Sequence, residues 1–115
     1  MNTWYNLPNA KHIDRVLMSI KNNPDIWHAP ESAAWDAAWH TAWGAAKDAT
    51  RDSACEAACE AAGHAAWDAA WGAVLALIAY DDCAYLLDMK ADQVKLLGMP
   101  AAVLLYPACL AFENE

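Results

Sequence analysis

The hydrophobic and polar positions between Ala33 and Gly72 repeat every four residues. Ten consecutive four-residue units, here called tetrads, carry alanine at most of their first two positions and a polar residue or glycine at most of their fourth positions. Residues four apart lie on the same side of an α-helix, and alanine is the strongest helix former, so the tetrads predict helical structure. The third position holds the largest side chains of the repeat, which are Trp35, Trp39, Trp43, Trp67 and Trp71.

The length of the tetrad region predicts that it folds back on itself. A single helix over this region would be about 60 Å long at 1.5 Å per residue, whereas a compact domain of this size has a radius of gyration of about 13 Å. A bend near Ala49 would bring large tryptophan side chains opposite small residues, as a dense core requires. An alternative break lies at Gly63–His64, because glycine commonly ends a helix. The bend near Ala49 predicts the pairs Trp43 with Cys55, Trp39 with Cys59 and Trp35 with Gly63.

The segments on either side of the tetrads also predict helices. Apolar residues spaced three and four apart from Ile13 to Ile20 predict a first helix over residues 10–21, with Asn9 as its N-cap. After Gly72 the chain is apolar on every side, as expected of a buried helix. The pair Asp81–Asp82 is expected to cap the short helix that follows.

No stretch combines the pattern of a strand with the turn residues that strands need, so the fold class is predicted to be all-α. At 115 residues the chain is long enough for one domain that buries about two-thirds of its unfolded surface. We expect a single helical domain over residues 1–115, a compact bundle built around an Ala/Trp helical hairpin. The tetrad region 33–72 would form the hairpin, and short helices would follow over residues 73–112.

The charge of the chain narrows the class of partner. Fifteen acidic residues against seven basic residues give a formal net charge of −8. Such a charge opposes direct binding to nucleic acid or to an anionic membrane surface, and it permits a basic protein partner or mimicry of the charge of a nucleic acid. The N-terminus lacks the pattern of a signal peptide, and the longest apolar run, residues 100–112, is too short to span a bilayer. We therefore expect a cytoplasmic protein.

The fourth position of the tetrads supplies the candidate partner-binding residues. Acidic side chains follow one another there at a spacing of four and would form a ladder along one helix face. Each neighbouring pair of like charges costs about 0.2–0.5 kcal/mol in a helix. The ladder is either a solvated face that keeps an alanine-rich protein soluble or a binding surface for a basic protein. It consists of Asp48, Asp52, Glu56 and Glu60, and the candidate surface adds Asp36 and Asp68.

The tryptophans and two cations near the predicted bend form a second candidate site. One interpretation is that the indoles pack in the core, and the other is an aromatic cleft that stacks a base or nucleotide. The residues of this candidate cleft are Trp35, Trp39, Trp43, Lys47, Arg51, Trp67 and Trp71.

No pattern typical of catalysis occurs in the chain. No nucleophile–base pair, phosphate-binding loop or pair of catalytic carboxylates stands out, so we expect neither an enzyme nor a cofactor. Cys55, Cys59 and His64 could join Cys83 or Cys109 in a metal site, but their spacing is not that of structural zinc sites. We expect the four cysteines to be reduced, metal-free residues of the core.

Two segments after the tetrads carry a resemblance to a known group. Together with the tetrads, ALIAYDDCAYLLDM (residues 76–89) and PAAVLLYPA (residues 100–108) resemble Ala/Trp-rich proteins of bacteria and phages that are identified as immunity proteins. The likeness covers about residues 33–110. Immunity proteins are cytoplasmic binders that neutralise toxin effectors, so the resemblance implies an inhibitor of a protein effector, or of a host defence protein in a phage. The residues leave two alternatives open: a nucleotide or small-ligand sponge, and a structural module that forms homo-oligomers.

Overall fold

The structure is a computed structural model that describes residues 4–28, 32–62 and 67–115, with the side chain of Trp67 excepted. Within these residues the chain forms six α-helices and two 3₁₀ turns and contains no strand, which confirms the predicted all-α class. The helices are α1 (Ala10–Asn22), α2 (Ala33–Asp48), α3 (Asp52–Ala62), α4 (Trp67–Ala79), α5 (Ala91–Val94) and α6 (Pro100–Glu113), and the 3₁₀ turns are Pro24–Ile26 and Ala84–Asp88.

The tetrad region folds back as its length requires. The longest dimension of the molecule is 32 Å, about half the length of one continuous tetrad helix. Its radius of gyration is 12.5 Å. Helix α2 ends at Asp48 and α3 begins at Asp52, so the predicted bend near Ala49 is confirmed. The alternative break at Gly63–His64 lies outside the described residues.

The bend between α2 and α3 has the hydrogen bonds of a Schellman motif. The N–H of Arg51 donates to the carbonyl of Ala46 at 2.8 Å, and the N–H of Thr50 donates to the carbonyl of Lys47 at 2.9 Å. Thr50 has a φ of 56°, which is the left-handed region that glycine or asparagine usually occupies at this position. The chain therefore turns here without the residue types that normally mark such a turn.

Helix α4 lies at the centre of the bundle. It packs against α1, α2, α3 and α6, and residues 73–78 are all buried, as predicted for a segment that is apolar on every side. None of the helices in the described part of the chain combines the length and the apolar character that crossing a bilayer requires.

Two tryptophan side chains of α2, Trp35 and Trp39, lie against α4. Helix α2 packs mainly on α6 and α4 and contacts α3 much less. Trp39 stacks on Trp71 of α4, and its predicted pairing with Cys59 stays a prediction. Trp35 does lie over a glycine, but that glycine is Gly72 of α4. A large side chain does pack over a small residue, as predicted, but α4 provides that small residue for Trp35.

Two side chains from distant segments bind the C-terminal end of α4. The sequence predicts Asn9 as the N-cap of α1, but its side chain makes no capping hydrogen bond there. Its Nδ2 donates instead to the carbonyls of Leu77 and Tyr80 at 2.9 and 2.8 Å. Arg51 donates from Nη1 to the carbonyl of Ile78 at 3.0 Å. The last carbonyls of a helix have no partner within the helix, and a buried helix end needs such donors.

The acidic pair that follows α4 also departs from its expected role. No side chain caps the 3₁₀ turn Ala84–Asp88, so Asp81 and Asp82 do not serve as its N-cap. The carboxylate of Asp81 instead accepts hydrogen bonds from the guanidinium of Arg51. The reason is the position of the bend, which brings Arg51 to the end of α4.

Candidate functional site

One side of α3 carries three exposed carboxylates, Asp52, Glu56 and Glu60, which we call the acidic face. They follow one another at one helical turn, as the tetrads predict. The side chains exposed beside them are small, for example Ser53 and Ala61. Helix α3 itself therefore exposes no bulky apolar side chain beside the carboxylates.

The predicted four-residue ladder is interrupted. Asp48 is the last residue of α2, and the left-handed Thr50 separates it from Asp52, so a continuous stripe over four carboxylates is wrong. Two further candidates, Asp36 on α2 and Asp68 on α4, are exposed on other helices. Among the candidate partner-binding residues, Asp52, Glu56 and Glu60 follow one another on α3, whereas Asp36 and Asp48 lie at opposite ends of α2.

The acidic face is not neutralised by the described part of the chain. Within residues 4–28, 32–62 and 67–115, the salt bridge is that of Arg51 with Asp81, and no basic side chain pairs with the three carboxylates. Arg51 directly precedes the acidic face, but its guanidinium is held at the end of α4.

The charge of the acidic face also acts on the core beneath it. Burial, together with the negative charges of Asp52 and Glu56, raises the pKa of the Cys55 thiol to about 12. Burial is likewise the main cause that raises the pKa of Cys59, with contributions from Cys55 and Glu56. Both thiols are therefore neutral near pH 7.

All four cysteines are free and buried, in agreement with their predicted place in the core. Cys109 donates its thiol hydrogen to the carbonyl of Leu86 at 3.2 Å, and Cys83 donates to that of Ala76 at 3.5 Å. In the described residues no group of three or more histidine, cysteine or acidic side chains could hold a metal ion. His64, part of the metal site considered above, lies outside the described residues.

The candidate tryptophan cleft contains a stack of indoles. The ring of Trp39 lies 5.8 Å from that of Trp43 and 6.2 Å from that of Trp71, with interplanar angles of 11° and 14°. The ring of His40 meets Trp39 edge-on at 5.5 Å. Trp35 is buried, and the side chain of Trp67 lies outside the described residues. Trp39 thus makes with Trp43 and Trp71 the kind of stacking contact that a nucleotide base would make with an indole.

The two cations assigned to this cleft have different environments. Lys47 is exposed in the last turn of α2, where a positive charge is favourable. Arg51 points to the C-terminal end of α4, where Asp81 raises the pKa of its guanidinium through a hydrogen bond. Of these two cations, Lys47 is the one that is exposed without an acidic partner among the described residues.

A groove that the sequence did not predict lies between the 3₁₀ turn Ala84–Asp88 and the start of α6. Its volume is about 230 Å³, and Tyr80, Tyr85, Asp82 and Met99 contribute to its wall. Residues 80–86 and 99–101 are far apart in the sequence, and no motif links them. The one sequence feature that could have pointed to the groove is Tyr85, which lies between Ala84 and Leu86. A tyrosine among apolar residues does not by itself indicate an exposed side chain.

Comparisons of the chain with protein-family models, with curated proteins and with solved structures find no match.

Proposed function

We propose that the protein is a non-enzymatic acidic binding protein that neutralises a protein effector, as an immunity protein or a phage anti-defence inhibitor does. The observation that carries the proposal is the acidic face of α3, three exposed carboxylates in register with no basic partner among the described residues. A basic protein surface would provide the missing positive charges. The resemblance of residues 33–110 to immunity proteins supports the same class of function.

The energetics of α3 favour a binding role over a merely solvated face. Each pair of like charges one turn apart costs about 0.2–0.5 kcal/mol, and mixed charges would keep the helix soluble without that cost. Helix α1 uses mixed charges, since Lys11, Asp14, Arg15 and Lys21 are all exposed on it. Helix α1 thus places an acid among its basic residues, whereas the charged residues of α3 are all acidic.

The two alternative functions receive less support from the contacts. A nucleotide sponge needs accessible indole faces and free cations, whereas Trp39 stacks on two other indoles and Arg51 is bound to Asp81. A homo-oligomer would bring chains of net charge −8 together, which electrostatic repulsion opposes. The proposal includes a cytoplasmic location, which the four free cysteines support.

The charge-swapped variant Glu56→Lys with Glu60→Lys tests the proposal. The purified protein is immobilised, and proteins captured from an extract of the organism that encodes it are measured by quantitative mass spectrometry. We expect the wild type to capture one basic protein in stoichiometric amount and the variant to capture it at least about tenfold less, which corresponds to 1.4 kcal/mol. Capture should also weaken as salt rises, because exposed charges are screened.

A matched control distinguishes an effect of the acidic face itself from an effect of the net charge of the protein. Asp25→Lys with Asp92→Lys changes two exposed acids elsewhere by the same total charge and should leave capture unchanged. Circular dichroism should show that both variants keep the helical content of the wild type. If the α3 variant is folded and captures the protein as well as the wild type, the acidic face is only a solvated surface and the proposal is wrong.

A further inference from the structure

The groove between the 3₁₀ turn Ala84–Asp88 and α6 is linked to the acidic face by a salt bridge. Asp52, the first residue of that face, directly follows Arg51, and the guanidinium of Arg51 binds Asp81. Tyr80 and Asp82, the neighbours of Asp81, both line the groove. The Arg51–Asp81 contact therefore connects the start of the acidic face to the segment that forms one wall of the groove.

The wall of the groove combines aromatic and apolar surface with one charge. Tyr80 and Tyr85 supply aromatic rings, Met99 supplies apolar surface, and Asp82 is the one charged residue of the lining among the described residues. Burial raises the pKa of the Cys83 thiol at this site to about 12, and Asp82 is the next largest cause. The negative charge of Asp82 therefore acts within the groove.

Two apolar residues of this wall are unusually accessible. Tyr85 is 55% exposed and Met99 is 38% exposed, although both are large hydrophobic side chains. Tyrosine and methionine are enriched at protein interfaces, and pockets that receive one anchoring side chain often lie within a polar rim. Here the rim would include the acidic face.

We infer that this groove receives an arginine side chain of the basic protein partner, an inference that rests on the proposed function. Arginine fits the exposed parts of the lining, because its apolar stem can lie along Met99 while its guanidinium stacks on the ring of Tyr85 and pairs with the carboxylate of Asp82. The volume of about 230 Å³ is below the 300–1,000 Å³ typical of small-molecule sites, and it suits a single side chain.

The start of α6 does not turn the groove into an anion site. Pro100, the first residue of the helix, has no N–H. One of the donors that usually hold an anion at a helix N-terminus is therefore absent. The exposed carboxylate of Asp82 favours a positively charged ligand.

Titration with N-acetyl-arginine amide, followed by the backbone amide shifts of the groove residues in NMR spectra, tests the inference. N-acetyl-citrulline amide is the matched neutral probe, since it has nearly the same shape without the charge. We expect saturable shifts at Tyr85 and Met99 with a Kd in the millimolar range for arginine and at least about tenfold weaker binding of citrulline. Equal binding of the two probes, or no saturable shift up to about 50 mM arginine amide, would overturn it.

Variants assign the binding to particular side chains. Asp82→Asn should weaken arginine binding to the level of citrulline, whereas Asp88→Asn, an exposed acid outside the groove, should leave it unchanged. Tyr85→Leu keeps an apolar side chain but removes the aromatic face, and it should weaken binding about threefold. An unchanged affinity in the folded Asp82→Asn protein would contradict the inference.

The outcome for the groove can be separated from that for the acidic face. The variant Glu56→Lys with Glu60→Lys should lose capture of the partner and keep its affinity for arginine amide within about threefold in 0.15 M salt, where distant exposed charges are screened. If that variant loses capture and the arginine probe does not bind, the inference about the groove fails and the proposed function stands. If the probe binds and capture is unaffected by the α3 variant, the proposed function fails.

Discussion

Two tetrads share the sequence Ala-Trp-Gly, and their glycines have opposite environments. A Cβ added to Gly72 of α4 would lie 2.4 Å from Cη2 of Trp35, far inside van der Waals contact. A Cβ added to Gly44 of α2 would meet nothing within 4 Å. The same local sequence therefore leaves room for an indole at one place and faces open space at the other.

The difference shows which part of the repeat is used for packing. Glycine within a helix costs about 0.5–1 kcal/mol relative to alanine. At Gly72 that cost is offset by the close approach of Trp35, which brings α2 onto the central helix. At Gly44 no contact within the described residues offsets it. Glycine in a tetrad is thus a sign of close packing only where another helix supplies a large side chain.

The bend between α2 and α3 completes the contrast. Thr50 occupies a left-handed conformation, which glycine adopts without strain and which a β-branched residue adopts with difficulty. Glycine is therefore present at residue 44, where neither backbone nor packing requires it, and absent at residue 50, where the backbone favours it.

The largest effect is expected for Gly72→Ala. Overpacking against the rigid indole of Trp35 should cost about 1–3 kcal/mol, and the better helix propensity of alanine should return less than about 1 kcal/mol of that. We expect net destabilisation of about 1–2 kcal/mol in chemical denaturation. In a Trp35→Phe background, where the ring is shorter, the same change should cost less, and additive effects in this double-mutant cycle would contradict the contact.

A smaller effect of opposite sign is expected for Thr50→Gly. Removing the β-branched side chain relieves the left-handed strain, and the extra flexibility of the unfolded chain offsets part of the gain, so the free energy of unfolding should rise by about 1 kcal/mol. Thr50→Ala keeps a Cβ and should change stability much less. A lower denaturation midpoint for the glycine variant would show that the exposed hydroxyl, which donates to the carbonyl of Ala49, matters more than the strain.

The smallest effect is expected for Gly44→Ala. Open space around this position means that only helix propensity changes, so the variant should be more stable by about 0.8 kcal/mol. The reverse change Ala37→Gly, at an exposed position of the same helix, should lower stability by a similar amount. Destabilisation by Gly44→Ala would mean that the two glycines are alike and would remove the contrast.

Much of the fold follows from local pattern. The first helix, the bend near Ala49 and the burial of residues 73–78 are all as predicted. Each depends on hydrophobic periodicity, helix length or apolar composition, which are properties of a continuous stretch of chain. The exposed, evenly spaced carboxylates of the acidic face on α3 were predictable for the same reason.

The partners of each helix were not predictable in this way. Ten similar tetrads offer many nearly equivalent ways to place a tryptophan over a small residue, and a period of four drifts by about 40° around the helix with each unit. Trp39 could therefore be assigned to Cys59 on sequence grounds, although it stacks on Trp71. Only the competition among all the helices for the central α4 decides between such pairings.

Sequence by itself determined the helices, the place of the bend and the negative charge of the chain, because these depend on neighbours along the backbone. Tertiary structure alone decided that Asn9 and Arg51 bind the end of α4, that Asp81 pairs with Arg51, and that a groove opens beside Tyr85. These features join segments up to 71 residues apart, and they exist because the unpaired carbonyls of a buried helix end must find donors wherever the packed chain brings them.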